Sequence, residues 1–460
     1  MFSICKPEKI AISILGKQPI KRNNYRPLFY THMVNYNHGY IIANILTKEK
    51  IWISEDEKIF FAETKDINND IVRDLIEKWF LVPTNFDDQS NVNNTIELKK
   101  LYLSAHKKDY LNNFVIFTTT DCNARCHYCY EKGSRRINMS EKTASDVAHF
   151  IIDKSKNNDI SIEWFGGEPL YNFKAIDIIC NILKKNKVSF KSIMISNGYL
   201  FDDTIIEKSV NDWNLNSVQV TLDGTEEVYN KIKSYICHDL ISPFMRVIEN
   251  IEKLLNSSIE VKIRLNFDKN NVKDIDKLVD LLIDKFIKYD NCKIYAVPIN
   301  YYNKNEVFNI ENRKFLYDAQ NKIMDKIYAN NMNEPKTLLR NKSTLIHCMA
   351  DNDNSTTILP DGKLGKCEYY LDDNYWGDIY NNVIDYEIIE SFKILKNELP
   401  QCKNCKWRLE CGSLEKCREL LGFCDDLEIK NKEDAVRRSL IKEYNTWLFT
   451  HNDTDDGSVC

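Results

Sequence analysis

No apolar run in this 460-residue chain approaches the roughly 20 residues needed to cross a bilayer. Its opening, "MFSICKPEKIAISILGKQPIKR", lacks the compact apolar core and small-residue cleavage site of a signal peptide. No charge of one sign dominates: 63 Lys and Arg against 68 Asp and Glu leave a net charge of −5. No long single-sign tail is present, nor a basic stripe interleaved with aromatics. These absences predict a cytoplasmic protein with neither a membrane nor a nucleic acid as partner. Disulfides are not maintained in that compartment, so the fifteen cysteines need another explanation. Apolar residues (43%) suffice for substantial cores, and the length suggests about two to four domains.

The cysteines are clustered. Cys122, Cys126 and Cys129 fall within "FTTTDCNARCHYCYEKG", and seven more lie from Cys348 to Cys424. Cys5, Cys180, Cys237, Cys292 and Cys460 are scattered, and Cys180 and Cys292 sit in apolar patterns that suit buried thiols. Clusters at such spacings read as metal sites.

Residues 1–105 read as a small unit: two short strands, "GYIIANIL" and "KIWISEDEKIFF", joined by "TKE". A helix follows, with Val72, Leu75, Ile76 and Trp79 on one face, and then a polar linker, "DDQSNVNN". From residue 113 onward, strands alternate with helices: "NFVIFTTT", "ISIEWFGGEP", "SFKSIMISNG", "SVQVTLDG", "IEVKIRLNFD" and "CKIYAVP". Ser140 is an N-cap, and a clear helix runs through Ile275, Leu278, Val279, Leu282 and Phe286. Six strands alternating with helices predict an α/β fold with a parallel sheet. Six is too few for a closed eight-fold barrel, which predicts an open, partial (β/α)6 barrel of the TIM type. Ligands bind such sheets at the carboxyl ends of their strands. The cysteine loop follows the first strand, "GGEP" the second, "SNG" the third and "DG" the fourth, so four loops converge on one rim.

Three thiolates in one loop can hold a four-iron, four-sulfur cluster through three irons and leave the fourth open. The alternative is a zinc ion completed by His127 or a remote residue, although zinc favours paired C-x2-C arrangements. The C-x3-C-x-aromatic-C pattern, with Tyr128 in the aromatic slot, resembles the signature of the radical S-adenosylmethionine (SAM) enzymes. That resemblance implies SAM chelating the open iron of a 4Fe-4S cluster and being split to methionine and a 5′-deoxyadenosyl radical. It further implies that Gly166, Gly167, Glu168 and Pro169 meet the SAM amino group. Ser196 and Asn197 match a recurrent family stretch, and Thr221 stands where relatives contact the ribose. Relatives often place an arginine about ten residues after the "DG"; this chain has Lys233.

The second array reads Cys348, then Gly362-x4-Cys367, then Cys402-x2-Cys405-x5-Cys411-x5-Cys417, and Cys424. It resembles the SPASM module of radical SAM enzymes, with a longer spacing ("GSLEK") before the sixth cysteine. The resemblance implies two auxiliary 4Fe-4S clusters. One would be held by Cys402, Cys405, Cys411 and Cys424. The other would be held by Cys348, Cys367 and Cys417, with Asp351 or Asp353 as candidates for the remaining position. Paired structural zinc sites are the alternative, although two all-thiolate sites would need about eight cysteines rather than seven. Glu368 occupies the place of the aspartate used as a base by formylglycine-forming relatives.

The implied domains are residues 1–105 (small α+β, winged-helix-like), 106–335 (partial barrel), 336–430 (SPASM) and 431–460 (helix and tail). SPASM-bearing relatives mostly modify peptides, and an N-terminal extension in peptide-maturing members binds the precursor's leader by strand addition. The expectation is a peptide maturase forming a thioether or carbon–carbon cross-link. A precursor peptide and a low-potential donor of flavodoxin or ferredoxin type would be its partners. Anaerobic sulfatase maturation and a non-enzymatic electron carrier or redox sensor are the alternatives.

Overall fold

A computed structural model of the chain describes residues 1–105, 109–156, 159–236, 241–299, 309–335, 348–381, 383–394, 402, 404–411, 414–417 and 424–452. Cys237, Cys460, part of the "GSLEK" loop and most of the "HNDTDDGSVC" tail lie outside them.

The chain opens with an antiparallel sheet ordered β1–β5–β4–β3, built from β1 (Phe2–Cys5), β3 (Thr31–Asn35), β4 (Gly39–Asn44) and β5 (Lys50–Ser54). A separate pair joins β2 (Tyr25–Pro27) to β6 (Leu81–Pro83). The predicted hairpin is β4 and β5, but β5 ends earlier than "KIWISEDEKIFF" suggests. Ser54 and Glu57 form a capping box: Ser54 N donates to Glu57 Oε2 (2.9 Å) and Glu57 N to Ser54 Oγ (3.3 Å). That box starts a short 3-10 helix at Asp56–Phe60. The helix Asp70–Glu77 buries Val72, Leu75 and Ile76 as its periodicity demands.

The expected polar linker is instead the start of an 18-residue helix, Asp88–Ala105. Asp87 accepts the Ser90 N–H (2.9 Å) at its N-terminus, and Val92, Thr95 and Ile96 bury one side. Tertiary packing here overrides a polar composition.

The N-terminal unit shares its core with the far end of the chain. Leu28, Tyr30, Val34, Ile41 and Val92 pack with Trp407 and Leu409, and with Val436, Leu440 and Tyr444 of the helix Asp426–Asn452. The buried Lys50 pairs with Glu443 (2.5 Å), and the buried Lys48 with Glu410.

His32 lies in this interface, its ring 5.1 Å from that of Trp407 and its Nδ1 3.2 Å from Lys406 Nζ. Burial, reinforced by the Lys406 cation and opposed by Glu433, lowers the imidazole to about 4. The unfolded chain therefore binds the extra proton between about pH 6.5 and 4. Stability present above that window is lost as pH falls through it. Urea unfolding followed across the window should show this slope, and His32→Gln should flatten it.

Six strands then run parallel in sequence order: β7 (Asn113–Thr119), β8 (Ile160–Gly166), β9 (Phe190–Ser196), β10 (Leu215–Leu222), β11 (Glu260–Phe267) and β12 (Cys292–Pro298). This is the partial barrel. β8 alternates: Ile160, Ile162 and Trp164 are buried, while Glu163 and Phe165 line a cavity on the opposite face. Helices cover the outside; Ile275, Leu278, Val279, Leu282 and Phe286 of the helix Val272–Phe286 are all fully buried. Ser140 caps its helix, accepting the Thr143 N–H at 3.0 Å. Cys180 and Cys292 are buried in this core.

The cysteine-rich region extends the same sheet. β13 (Ser355–Ile358) lies parallel to β7, followed by β14 (Lys363–Gly365) and β15 (Gly377–Asp378) in antiparallel register. Cys367, directly after β14, is thereby carried toward the barrel's first strand. Among the described residues no helix is long and apolar enough to cross a membrane.

Candidate active site

The carboxyl ends of the barrel strands enclose a cavity of about 440 Å³. Cys122, Cys126, Tyr128, Cys129, Gly166, Gly167, Ser196, Asn197, Thr221 and Glu368 all line it. Glu168 and Pro169 do not. The two are buried behind the turn that they close.

The cysteine loop is shaped by its own polar side chains. Thr119 Oγ1 accepts the Asp121 N–H (2.9 Å), and Asp121 Oδ1 accepts the Cys122 N–H (2.8 Å). Arg125 and Arg136 flank the Asp121 carboxylate at 3.7 and 3.5 Å. The three thiols form no disulfide, and Cys126 lies close enough to raise the pKa of both Cys122 and Cys129. Burial pushes Cys122 up to about 12 and Cys129 up to about 11, with nearby acidic groups and the other thiols adding to the rise. A metal that demands thiolates reverses that balance on binding. Cys122 Sγ also accepts the Ala124 N–H at 3.3 Å.

The Gly-Gly-Glu-Pro turn packs onto the backbone that leads into this loop. Gly167 N donates to Thr119 O (3.2 Å) and Glu168 N to Asp121 O (2.9 Å). Gly166 has φ +118°, and a Cβ there would lie 2.1 Å from Thr119 O; one on Gly167 would lie 2.3 Å from Asp121 O. Both positions therefore require glycine. The turn reaches the cavity through the Gly166 and Gly167 positions, whereas the Glu168 side chain points elsewhere. Its carboxylate is fully buried and accepts from Ser196 Oγ (2.9 Å), Asn197 N (2.8 Å) and Leu170 N (3.2 Å). Burial raises it to about 7 against those hydrogen bonds. Glu168 thus ties the end of β8 to the Ser196–Asn197 turn.

Beneath the loop lies a second network. Tyr128 donates to Asp223 Oδ1 (2.6 Å), and Lys233 Nζ sits 3.0 Å from Asp223 Oδ2. The same ammonium donates to Thr221 Oγ1 (2.7 Å) and to Tyr128 OH (3.3 Å), which also accepts from Asn266 Nδ2 (3.2 Å). Burial opposes the Lys233 charge, but Asp223 and the surrounding tyrosines and thiol hold its pKa well above the usual range. The Thr221 hydroxyl therefore accepts from Lys233, and this lysine is locked in place.

Glu368 brings the second array to the same cavity. Beside it is Glu163, which periodicity alone did not single out; burial, and then Glu368, raises its carboxyl to about 7. Arg264 lines the cavity too, its Nε donating to Asn266 Oδ1 (3.0 Å). The rings of Tyr130 and Tyr369 meet at 4.6 Å, joining the residue after Cys129 to the segment after Cys367.

The array divides into two groups. Cys367 interacts electrostatically with Cys348 and Cys417, and Cys424 with Cys402, Cys405 and Cys411. Asp351 Oδ1 accepts the Cys348 N–H (3.0 Å), while Asp353 pairs with Lys393 (2.6 Å). Among the described residues, no three His, Cys, Asp or Glu side chains are grouped to hold a single metal ion. Three thiols on one cavity wall, backed by a buried cation, suit a cluster that takes each thiolate on a different iron.

Comparison with known proteins agrees with this chemistry. Residues 113–236 match the family described as a 4Fe-4S single cluster domain, a span that holds the cysteine loop, the Gly-Gly-Glu-Pro turn and Lys233. The radical SAM cyclopropyl synthase TigE of Paramaledivibacter caminithermalis is 24% identical over 294 residues, 54% of this chain and 61% of its own length. A GTP 3′,8-cyclase of Clostridium perfringens is 25% identical over 326 residues, covering 65% of this chain and 93% of the relative. Among solved structures, anSMEcpe with bound AdoMet and Cp18Cys peptide superposes with TM-score 0.56 and 18% identity, covering 74% of this chain and 99% of that one. Streptococcus suis SuiB bound to precursor peptide SuiA gives TM-score 0.52 and 14% identity, over 88% and 99%. At those identities the two structures speak to the fold alone. With three thiols and a paired-glycine turn on the rim of that barrel, and with relatives of this kind, the chain is similar to the radical SAM enzymes.

Proposed function

We propose that the chain abstracts hydrogen from a ribosomally made peptide and forms a thioether or carbon–carbon cross-link within it. The observation that carries this reading is the cavity itself. It joins the cysteine loop, the paired glycines and Glu368 of the second array in one space of about 440 Å³.

Cys122, Cys126 and Cys129 would hold the SAM-binding 4Fe-4S cluster. Together with SAM it supplies, when bound, a carbon-centred radical able to take a substrate hydrogen. The Gly166–Gly167 backbone would receive the SAM amino group, with Ser196, Asn197 and Thr221 bordering the remainder of the cofactor. Cys348, Cys367 and Cys417 would hold one auxiliary 4Fe-4S cluster, and Cys402, Cys405, Cys411 and Cys424 the other. These two would provide a path for the electron left over from substrate oxidation. A low-potential flavodoxin or ferredoxin type of donor would feed the first.

Residues 1–105 would seat the precursor's leader. The sheet β1–β5–β4–β3 ends in β1 and β3, each offering backbone groups for strand addition. Two features of SuiB support this assignment: its likeness spans 88% of the chain, and it was solved with its precursor peptide.

Glu368 would accept a proton as the substrate bond forms. Glu368→Gln should lower peptide modification by about a hundredfold while SAM cleavage continues uncoupled, measured as 5′-deoxyadenosine released per peptide modified. Anaerobic co-expression with a short peptide encoded beside the gene, followed by mass spectrometry, tests the reading. Loss of two hydrogens per link supports it, and an unmodified peptide counts against it. Oxidation of cysteine or serine to formylglycine is a second reading, favoured by the placement of Glu368 beside Cys367 in the cavity. A sulfatase-motif peptide is its substrate test.

A further inference from the structure

We propose that the buried pair Lys233–Asp223 sets the reduction potential of the cluster on the Cys122 loop. The inference rests on the reading that this loop carries an iron–sulfur cluster.

Lys233 is 2% exposed and Asp223 fully buried, and their charged atoms are 3.0 Å apart. The pair is clamped to the loop at several points. Tyr128, between Cys126 and Cys129, donates to Asp223 and accepts from Lys233. Arg125 N donates to Lys233 O (2.8 Å), and Ile236 N to Asn123 O (2.9 Å). The lysine is thus fixed to the loop by backbone as well as side chain.

Lys233 Nζ donates to the hydroxyl of Tyr128, which lies between Cys126 and Cys129 in the chain, so the ammonium is held against the loop that carries the thiols. A cluster gains one negative charge on reduction, and a cation held nearby in a poorly screened interior favours that state. A clamp needed only for mechanical support gains little from charge, since a buried ion pair is often replaceable by apolar residues at no loss of stability. An ammonium also suits the place better than a guanidinium. It is compact, and one nitrogen meets Thr221, Asp223 and Tyr128 together.

The test is an anaerobic redox titration of the cluster-reconstituted full chain by electron paramagnetic resonance. The first cluster is recognised by the change in its signal when SAM is added. Lys233→Met should move its midpoint potential downward and Asp223→Asn upward, while Lys233→Arg stays near wild type. Because Lys233→Met strands a buried carboxylate, the double variant Lys233→Met/Asp223→Asn provides a neutral control. Its potential should lie between those of the two single variants. Shifts of the same sign in both single variants, or no shift in either, would overturn the proposal and leave the pair a structural clamp. If the wild-type chain gives no SAM-responsive signal, the cluster reading fails first, and the pair's role with it.

Discussion

Gly166→Ala is expected to lower 5′-deoxyadenosine release by about a hundredfold or more, the scale of loss that follows when reacting groups are displaced by an ångström or so. Two independent penalties meet at this position. The φ of +118° is one that residues with a side chain rarely adopt, and the added methyl would lie 2.1 Å from Thr119 O. Thr119 cannot yield, because its hydroxyl accepts the Asp121 N–H that shapes the cysteine loop. The turn must therefore move away from the loop, widening the gap that the SAM amino group is proposed to bridge. Gly167→Ala should behave alike, since its Cβ would meet Asp121 O at 2.3 Å. The overall fold should survive, as both substitutions lie on the rim of the barrel. Far-ultraviolet circular dichroism close to wild type, together with lost SAM cleavage, is the expected outcome; full activity in both variants would remove the turn from the site.

The second large effect is expected from Glu168→Ala, and it should appear in stability as well as activity. Three donors converge on this one carboxylate, from Ser196, Asn197 and Leu170, and all are sealed from solvent. Truncation leaves them without an acceptor, a loss of about 2–4 kcal/mol by the usual cost of stranding buried polar groups. Glu168→Gln recovers only part of this. Its amide nitrogen must face at least one of the same donors, so it should fall between wild type and alanine in thermal unfolding. SAM cleavage should fall in parallel, because Ser196 and Asn197 line the cavity. An alanine variant as stable as wild type would contradict the tethering role argued for this glutamate.

The barrel was readable because its six strands are apolar runs rich in β-branched residues, and the first four end in loops carrying chemistry. The N-terminal unit was harder. β2 and β6 hold three residues each, too few for alternation to register. The helix from Asp88 is polar along most of its visible surface, and its cause is a distant core. The "SEDE" capping box was legible in principle, since its signature is purely local. Within the site, the thiols and the paired glycines stood out by spacing. Glu163 and Arg264 lie in strands whose inward side is known only once the barrel has closed. The Tyr128–Asp223–Lys233 network joins residues 95 and 105 positions apart, a juxtaposition that no local pattern encodes. The role of Glu168 also differs from a naive reading of the motif, because its carboxylate faces the protein while the adjacent glycines face the cavity.

The central claim is that three thiols on the barrel rim carry a cluster to which SAM binds. The most direct measurement is anaerobic incubation of the reconstituted chain with SAM and dithionite, quantifying 5′-deoxyadenosine by chromatography, alongside Cys126→Ala. The account predicts steady release by the native chain and none above background from the variant. Equal release from both, or none from a native chain that has taken up its iron and sulfide, would contradict it.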